Sequence, residues 1–63
     1  MTRKHYRAVA EELRGELQVA RGMPGVRVGI MRAAYALCTV FKMDNPRFDR
    51  ERFIAAVRAD DPS

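Results

Sequence analysis

An all-α fold, one domain of three helices with helix two central and assembled as a homodimer, is what this chain of 63 residues predicts. Three observations lead there. Three stretches repeat their apolar residues every three or four positions, the period of a helix with one buried stripe. Gly22 to Pro24 and Asp44-Asn45-Pro46 separate them, and both are strong chain breakers. Between Val28 and Phe41 only Arg32 and Thr39 are strongly polar, so the middle stretch carries more apolar surface than one small chain easily covers.

Helix one is expected over about residues 3–21. Tyr6, Val9, Ala10, Leu13, Leu17 and Ala20 form its stripe, with Thr2 as N-cap. Arg21 in the last turn, Gly22 in a left-handed C′ conformation and Pro24 beyond it supply the stop.

Helix two is expected over about residues 26–42. Val26 to Ile30 alternates like a short strand, but the chain offers no second strand to pair with it. Ile30, Ala34, Leu37 and Phe41 continue the helical phase of Val26, which favours helix throughout. At roughly 100° per residue, Val26, Ile30, Ala34, Leu37 and Phe41 make a bulky face for helices one and three to cover. Gly29, Ala33, Ala36 and Val40 make an adjacent strip of small residues, the candidate surface for self-association. Glycine inside a helix costs about 1 kcal/mol relative to alanine, so Gly29 implies a place where a side chain would obstruct a neighbour. The alternative is a self-sufficient monomer in which helix three roofs the small strip.

Helix three is expected over about residues 49–59. Asp49 fits as N-cap, and Phe48 at N′ can pack on Phe53 at N4 as a hydrophobic staple. Glu51 suits the positive end of the dipole, and Phe53, Ile54 and Val57 form the buried stripe. The acidic tail Asp60 to Ser63 is expected to fray.

Size explains why a partner copy is expected. A chain this short buries only about 60% of the surface its unfolded form exposes, and its core rarely supplies more than roughly 3–5 kcal/mol. Cys38 is the one cysteine and His5 the one histidine, so neither an intrachain disulfide nor a Cys/His zinc set can be assembled. Oligomerisation remains. The N-terminus is charged where a signal peptide would be apolar, and the apolar run falls short of the ~20 residues of a membrane span; both point to a reduced, cytoplasmic setting without membrane contact. A net charge of +4 permits nucleic-acid binding without requiring it.

No motif carries chemistry. Ser63, Cys38, Thr2 and Thr39 are the candidate nucleophiles, and none stands beside a base. Glu12 and Glu16 share a helical face with ordinary charged neighbours Arg7 and Arg14. Gly22 and Gly25 make no phosphate loop. The chain therefore reads as a non-enzyme with no catalytic, cofactor-binding or metal-binding residues. His5 is expected as a partly exposed side chain, Cys38 as a small buried hydrophobe, and Met23, Met31 and Met43 as loose core filling, the commoner use, or as part of an adaptable binding surface. Five cations do stand out: Arg3 and Lys4 at the start of helix one, and Arg47, Arg50 and Arg52 around the start of helix three, where the macrodipole opposes them. Either Asp44, Asp49 and Glu51 neutralise them locally, or they form, with Tyr35 nearby, a surface for anions or an acidic partner.

Two segments carry a resemblance. Met1-Thr2-Arg3-Lys4-His5-Tyr6, followed by Ala8 and Leu13, and Asn45-Pro46-Arg47-Phe48-Asp49-Arg50-Glu51-Arg52-Phe53-Ile54-Ala55-Ala56 resemble recurring patterns in small uncharacterised proteins of actinobacteriophages and related temperate phages and prophages. The likeness covers roughly half of the chain and leaves Gly22 to Ile30 unmatched. It implies provenance, a phage accessory protein in a bacterial cytoplasm, and brings no activity with it.

Two functions fit these residues. In one, a small helical protein self-associates and binds another protein, such as a host factor, near Tyr35 and Arg47; arginine and tyrosine are enriched at interface hot spots. In the other, the protein binds DNA. A helix-turn-helix would use helices two and three, although the link from Met43 to Phe48 is longer than the usual turn and lacks its glycine. A ribbon-helix-helix would need Val26 to Ile30 as a strand.

Overall fold

In the computed structural model, which describes residues 2–59, three helices follow one another: α1 (Arg3–Val19), α2 (Pro24–Asp44) and α3 (Arg50–Val57). No strand occurs among the described residues, so the domain is all-α. The tail from Asp60 onward lies outside them.

Thr2 opens α1 from an extended conformation, and His5 at N3 reaches back to accept the Thr2 N–H on Nδ1 at 3.3 Å. An imidazole thus does what glutamate or glutamine does in a capping box. The end of α1 differs from expectation. Gly22 does not turn left-handed, since no described glycine has a positive φ. Instead the Ala20 N–H donates to Glu16, Arg21 to Gln18 and Met23 to Ala20, at 3.0, 3.2 and 2.9 Å, and this tightened turn closes the helix at Val19 without a special conformation.

Pro24 acts as a starter rather than as the residue beyond a stop. At N1 its missing N–H would have had no helical partner and its fixed φ suits the first turn. α2 consequently begins at Pro24 rather than Val26, and it runs to Asp44 rather than Lys42. Arg27 ties the two helices together, its Nη1 donating to the Leu17 carbonyl in the last turn of α1 at 2.7 Å. A cation there also suits the negative end of the α1 dipole.

Asn45 is extended (φ −142°, ψ 103°), as a residue before proline must be. Its side chain accepts the Arg47 N–H at 3.1 Å and its carbonyl the Phe48 N–H at 2.9 Å. Asp49 Oδ1 then accepts the Arg52 N–H at 3.0 Å, and the Phe48 and Phe53 rings meet at 5.6 Å. Both the cap and the staple read from the sequence are formed. α3 stops at Val57, short of Ala59, with Arg58 as its cap.

The core is built around four rings. Tyr6 lies 4.9 Å from Phe41 and 4.8 Å from Phe48, and Phe41 lies 5.5 Å from Phe53, all tilted or edge-to-face. Such pairs contribute about 0.5–1.5 kcal/mol each beyond the area they bury. The Tyr6 hydroxyl reaches Asp44 Oδ2 at 3.3 Å, so the one polar atom of the cluster is satisfied. Ala10, Leu17, Ala20, Ala34, Cys38 and Val57 continue the core along the helices.

Two expectations about α2 need correction. Its buried stripe is Ala34, Cys38 and Phe41, turned toward Cys38, so Leu37 is only partly buried and Val26 is 49% exposed instead of covered. The reason is the side on which α3 lies. Its first residue, Arg50, sits over the Tyr35 ring at 5.4 Å, which places α3 along the Tyr35 and Cys38 flank and leaves the small strip unroofed.

Truncating the ring cluster is the decisive stability test. Phe41→Ala should cost roughly 3–5 kcal/mol, as much as the whole domain holds, and circular dichroism should show it unfolded at 25 °C. Leu37→Ala, at a half-covered site, should cost less than about 2 kcal/mol and leave a cooperative urea transition.

Candidate interaction surfaces

Helix lengths determine which surface is left over. At 1.5 Å per residue the 21 residues of α2 run about 31 Å, nearly the full 35 Å of the molecule, whereas the eight residues of α3 run about 12 Å. So short a helix cannot shelter the longest one. On the flank of α2 away from α3, Gly29, Ala33 and Ala36 are exposed, Val40 is 57% and Met43 82% exposed, and Val26 extends the same face. Arg32 borders this run, and no charged side chain interrupts it before Asp44 at its end.

The close neighbour expected at Gly29 is not found within the chain. A Cβ built there meets nothing within 4 Å. All four residues assigned to self-association, Gly29, Ala33, Ala36 and Val40, thus stand together on one open surface.

A second surface lies on the opposite flank, an open groove between the end of α2 and the start of α3. Thr39, Lys42, Arg47, Asp49, Arg50 and Glu51 line it, with the buried Cys38 and Phe48, and Met43 stands on the boundary where this groove meets the open face. The 45–49 link positions Arg47, and the Tyr35 ring holds the Arg50 guanidinium at 5.4 Å. Of the partner-binding residues read from the sequence, Arg47 and Arg50 come together here with Tyr35 at the rim. Arg52 is exposed but does not line the groove; Arg3 and Lys4 sit in the first turn of α1, just ahead of Tyr6 and its contacts with Phe41 and Phe48.

Lys42 is the residue that sequence reasoning missed. Its Nζ donates to the Phe48 carbonyl at 3.2 Å, which both fixes the link and adds a cation to the groove. Its place on the α2 wheel beside Cys38 and Tyr35 was the available signal. Asp44 and Asp49, read as possible neutralisers, have structural bonds as well: Asp44 accepts the Tyr6 hydroxyl and Asp49 caps α3.

The groove contains no activated nucleophile. Burial pushes the Cys38 thiol up from its ordinary range, and the Arg50 charge opposes this only in part, so sulfur stays protonated and inert near neutral pH. Met31 packs against the core, whereas Met23 and Met43 project into solvent. Among the described residues no group of three His, Cys, Asp or Glu could hold a metal ion, and no helix is long and apolar enough to cross a membrane.

These features define a small three-helix domain with one open apolar helix face and one basic groove. Neither a protein-family model, nor a curated protein, nor a solved structure matches the chain.

Two measurements probe the chemistry of this region. A thiol reagent should label Cys38 only as fast as the domain opens, with full labelling in denaturant. Tyr6 is held above the ordinary tyrosine value of 10.0 by burial, the Asp44 charge and its hydrogen bond to Asp44. The unfolded chain therefore loses this proton first, and the associated stability is complete below that value and is lost as pH rises through the folded pKa. In Tyr6→Phe this alkaline loss should be absent from pH-dependent urea melts.

Proposed function

We propose that this chain is a non-enzymatic, phage-type accessory protein of the bacterial cytoplasm that self-associates through the open face of α2 and binds another protein, a host factor, through the groove at Arg47 and Arg50. The observation that carries the proposal is the uninterrupted exposed face of α2, from Val26 to Met43. Exposed apolar patches on small domains mark interaction sites, and a core of this size gains stability from a second copy. The groove suits a partner better than a substrate, since Arg50 stacked on Tyr35 joins two residue types common at hot spots. Arg52, Arg3 and Lys4 would add long-range attraction for an acidic partner.

DNA binding is the second reading, supported by the net charge of +4. Its ribbon-helix-helix form has no strand to use, because Val26 to Ile30 belongs to α2. A helix-turn-helix form would have to work through the 45–49 link.

Sedimentation equilibrium is the direct test, with a dimer expected and a monomer at every concentration sinking the proposal. Ala33→Glu or Ala36→Glu should weaken association by about 3–5 kcal/mol, the cost of an unpaired buried charge, and leave the helical signal unchanged because both sites are exposed in the single chain. An Arg47→Glu/Arg50→Glu variant should remain a dimer and lose capture of the partner from a bacterial lysate. Binding to duplex DNA that weakens steeply with salt would favour the second reading.

A further inference from the structure

We infer that the occupant of the open α2 face is a second copy of this chain lying antiparallel to the first, with the two-fold axis passing between Ala34 and Tyr35; this rests on the self-association proposed above. The face is self-complementary about that midpoint. Positions equally far from it on either side are Ala33 and Ala36, then Gly29 and Val40, then Val26 and Met43. In an antiparallel pair each residue of such a set faces the other. Ala33 against Ala36 lets the helix axes approach closely at the centre. Gly29 against Val40 sets the branched side chain into the space where no side chain stands, a Cβ at Gly29 having nothing within 4 Å of it in the single chain. Val26 against Met43 closes each end with two exposed apolar side chains, 49% and 82% exposed. Alternating large and small residues across an interface is how helices fill space without voids.

Charge points the same way. The first turn of α2 has no acidic residue, while Asp44 ends the helix. Antiparallel pairing brings each Asp44 level with Gly25 of the other copy, at the positive end of its dipole. A parallel pair would instead set Gly29 against Gly29 over a void, crowd Val40 on Val40, and bring the two Asp44 carboxylates together.

Cysteine crosslinking separates the arrangements. Val26→Cys and Met43→Cys change two exposed positions, and the native protein with its buried Cys38 serves as the control. In the proposed pair the thiol introduced at position 26 of one copy faces the thiol introduced at position 43 of the other. Like positions lie about 25 Å apart along the axis, beyond disulfide reach. Mild oxidation of a mixture of the two variants should give the crosslinked heterodimer, and either variant alone should give none. Crosslinking of each variant with itself would overturn the antiparallel arrangement, and so would a dimer in sedimentation that yields no crosslink. A sedimentation monomer would overturn the underlying self-association as well, so the two failures are distinguishable.

Discussion

Four aromatic rings hold this domain together, and they come from four different parts of the chain. Tyr6 lies on α1, Phe41 on α2, Phe48 on the link and Phe53 on α3, and each touches at least two of the others. The cluster uses every phenylalanine in the protein. Because the rings must meet at one end of α2, the start of α1, the end of α2 and the start of α3 are gathered there. The rest of the arrangement follows from that gathering.

With α3 fixed at the ring cluster and only eight residues long, α2 can be covered on one flank alone. The covered flank becomes the groove where Lys42 holds the link and Arg50 rests on Tyr35. The opposite flank is left apolar and open. Two surfaces of contrasting chemistry thus arise from one packing decision: a groove lined by Lys42, Arg47 and Arg50, and an exposed apolar strip.

Local signals in the sequence were legible where the interacting groups lie within a few residues of one another. Thr2, Asn45 before Pro46, Asp49 and the Phe48–Phe53 staple are all readable because each acts within a few residues. Punctuation by glycine and proline is less transparent. Pro24 serves equally to stop one helix or start another, and Gly22 needs no left-handed turn once the Ala20 and Met23 bonds have closed α1. The histidine of the capping box escapes a sequence reading because its role depends on a ring nitrogen reaching the backbone, where a carboxylate or amide is the usual sign.

By itself the sequence determined three helices, their order, the caps around Thr2 and Asp49, and an excess of apolar surface on the middle helix, since all of these follow from periodicity and short-range bonding. Only the tertiary structure decided which flank of α2 is covered. Val26 and Leu37 fall with the core by phase, yet the burial of Cys38 and the seat of Arg50 on Tyr35 show the buried stripe shifted toward Cys38, with Ala34 and Phe41 kept in it. A wheel gives the angles between side chains but not the direction from which a neighbour arrives, and that direction is fixed by long-range ring contacts between residues far apart in the chain.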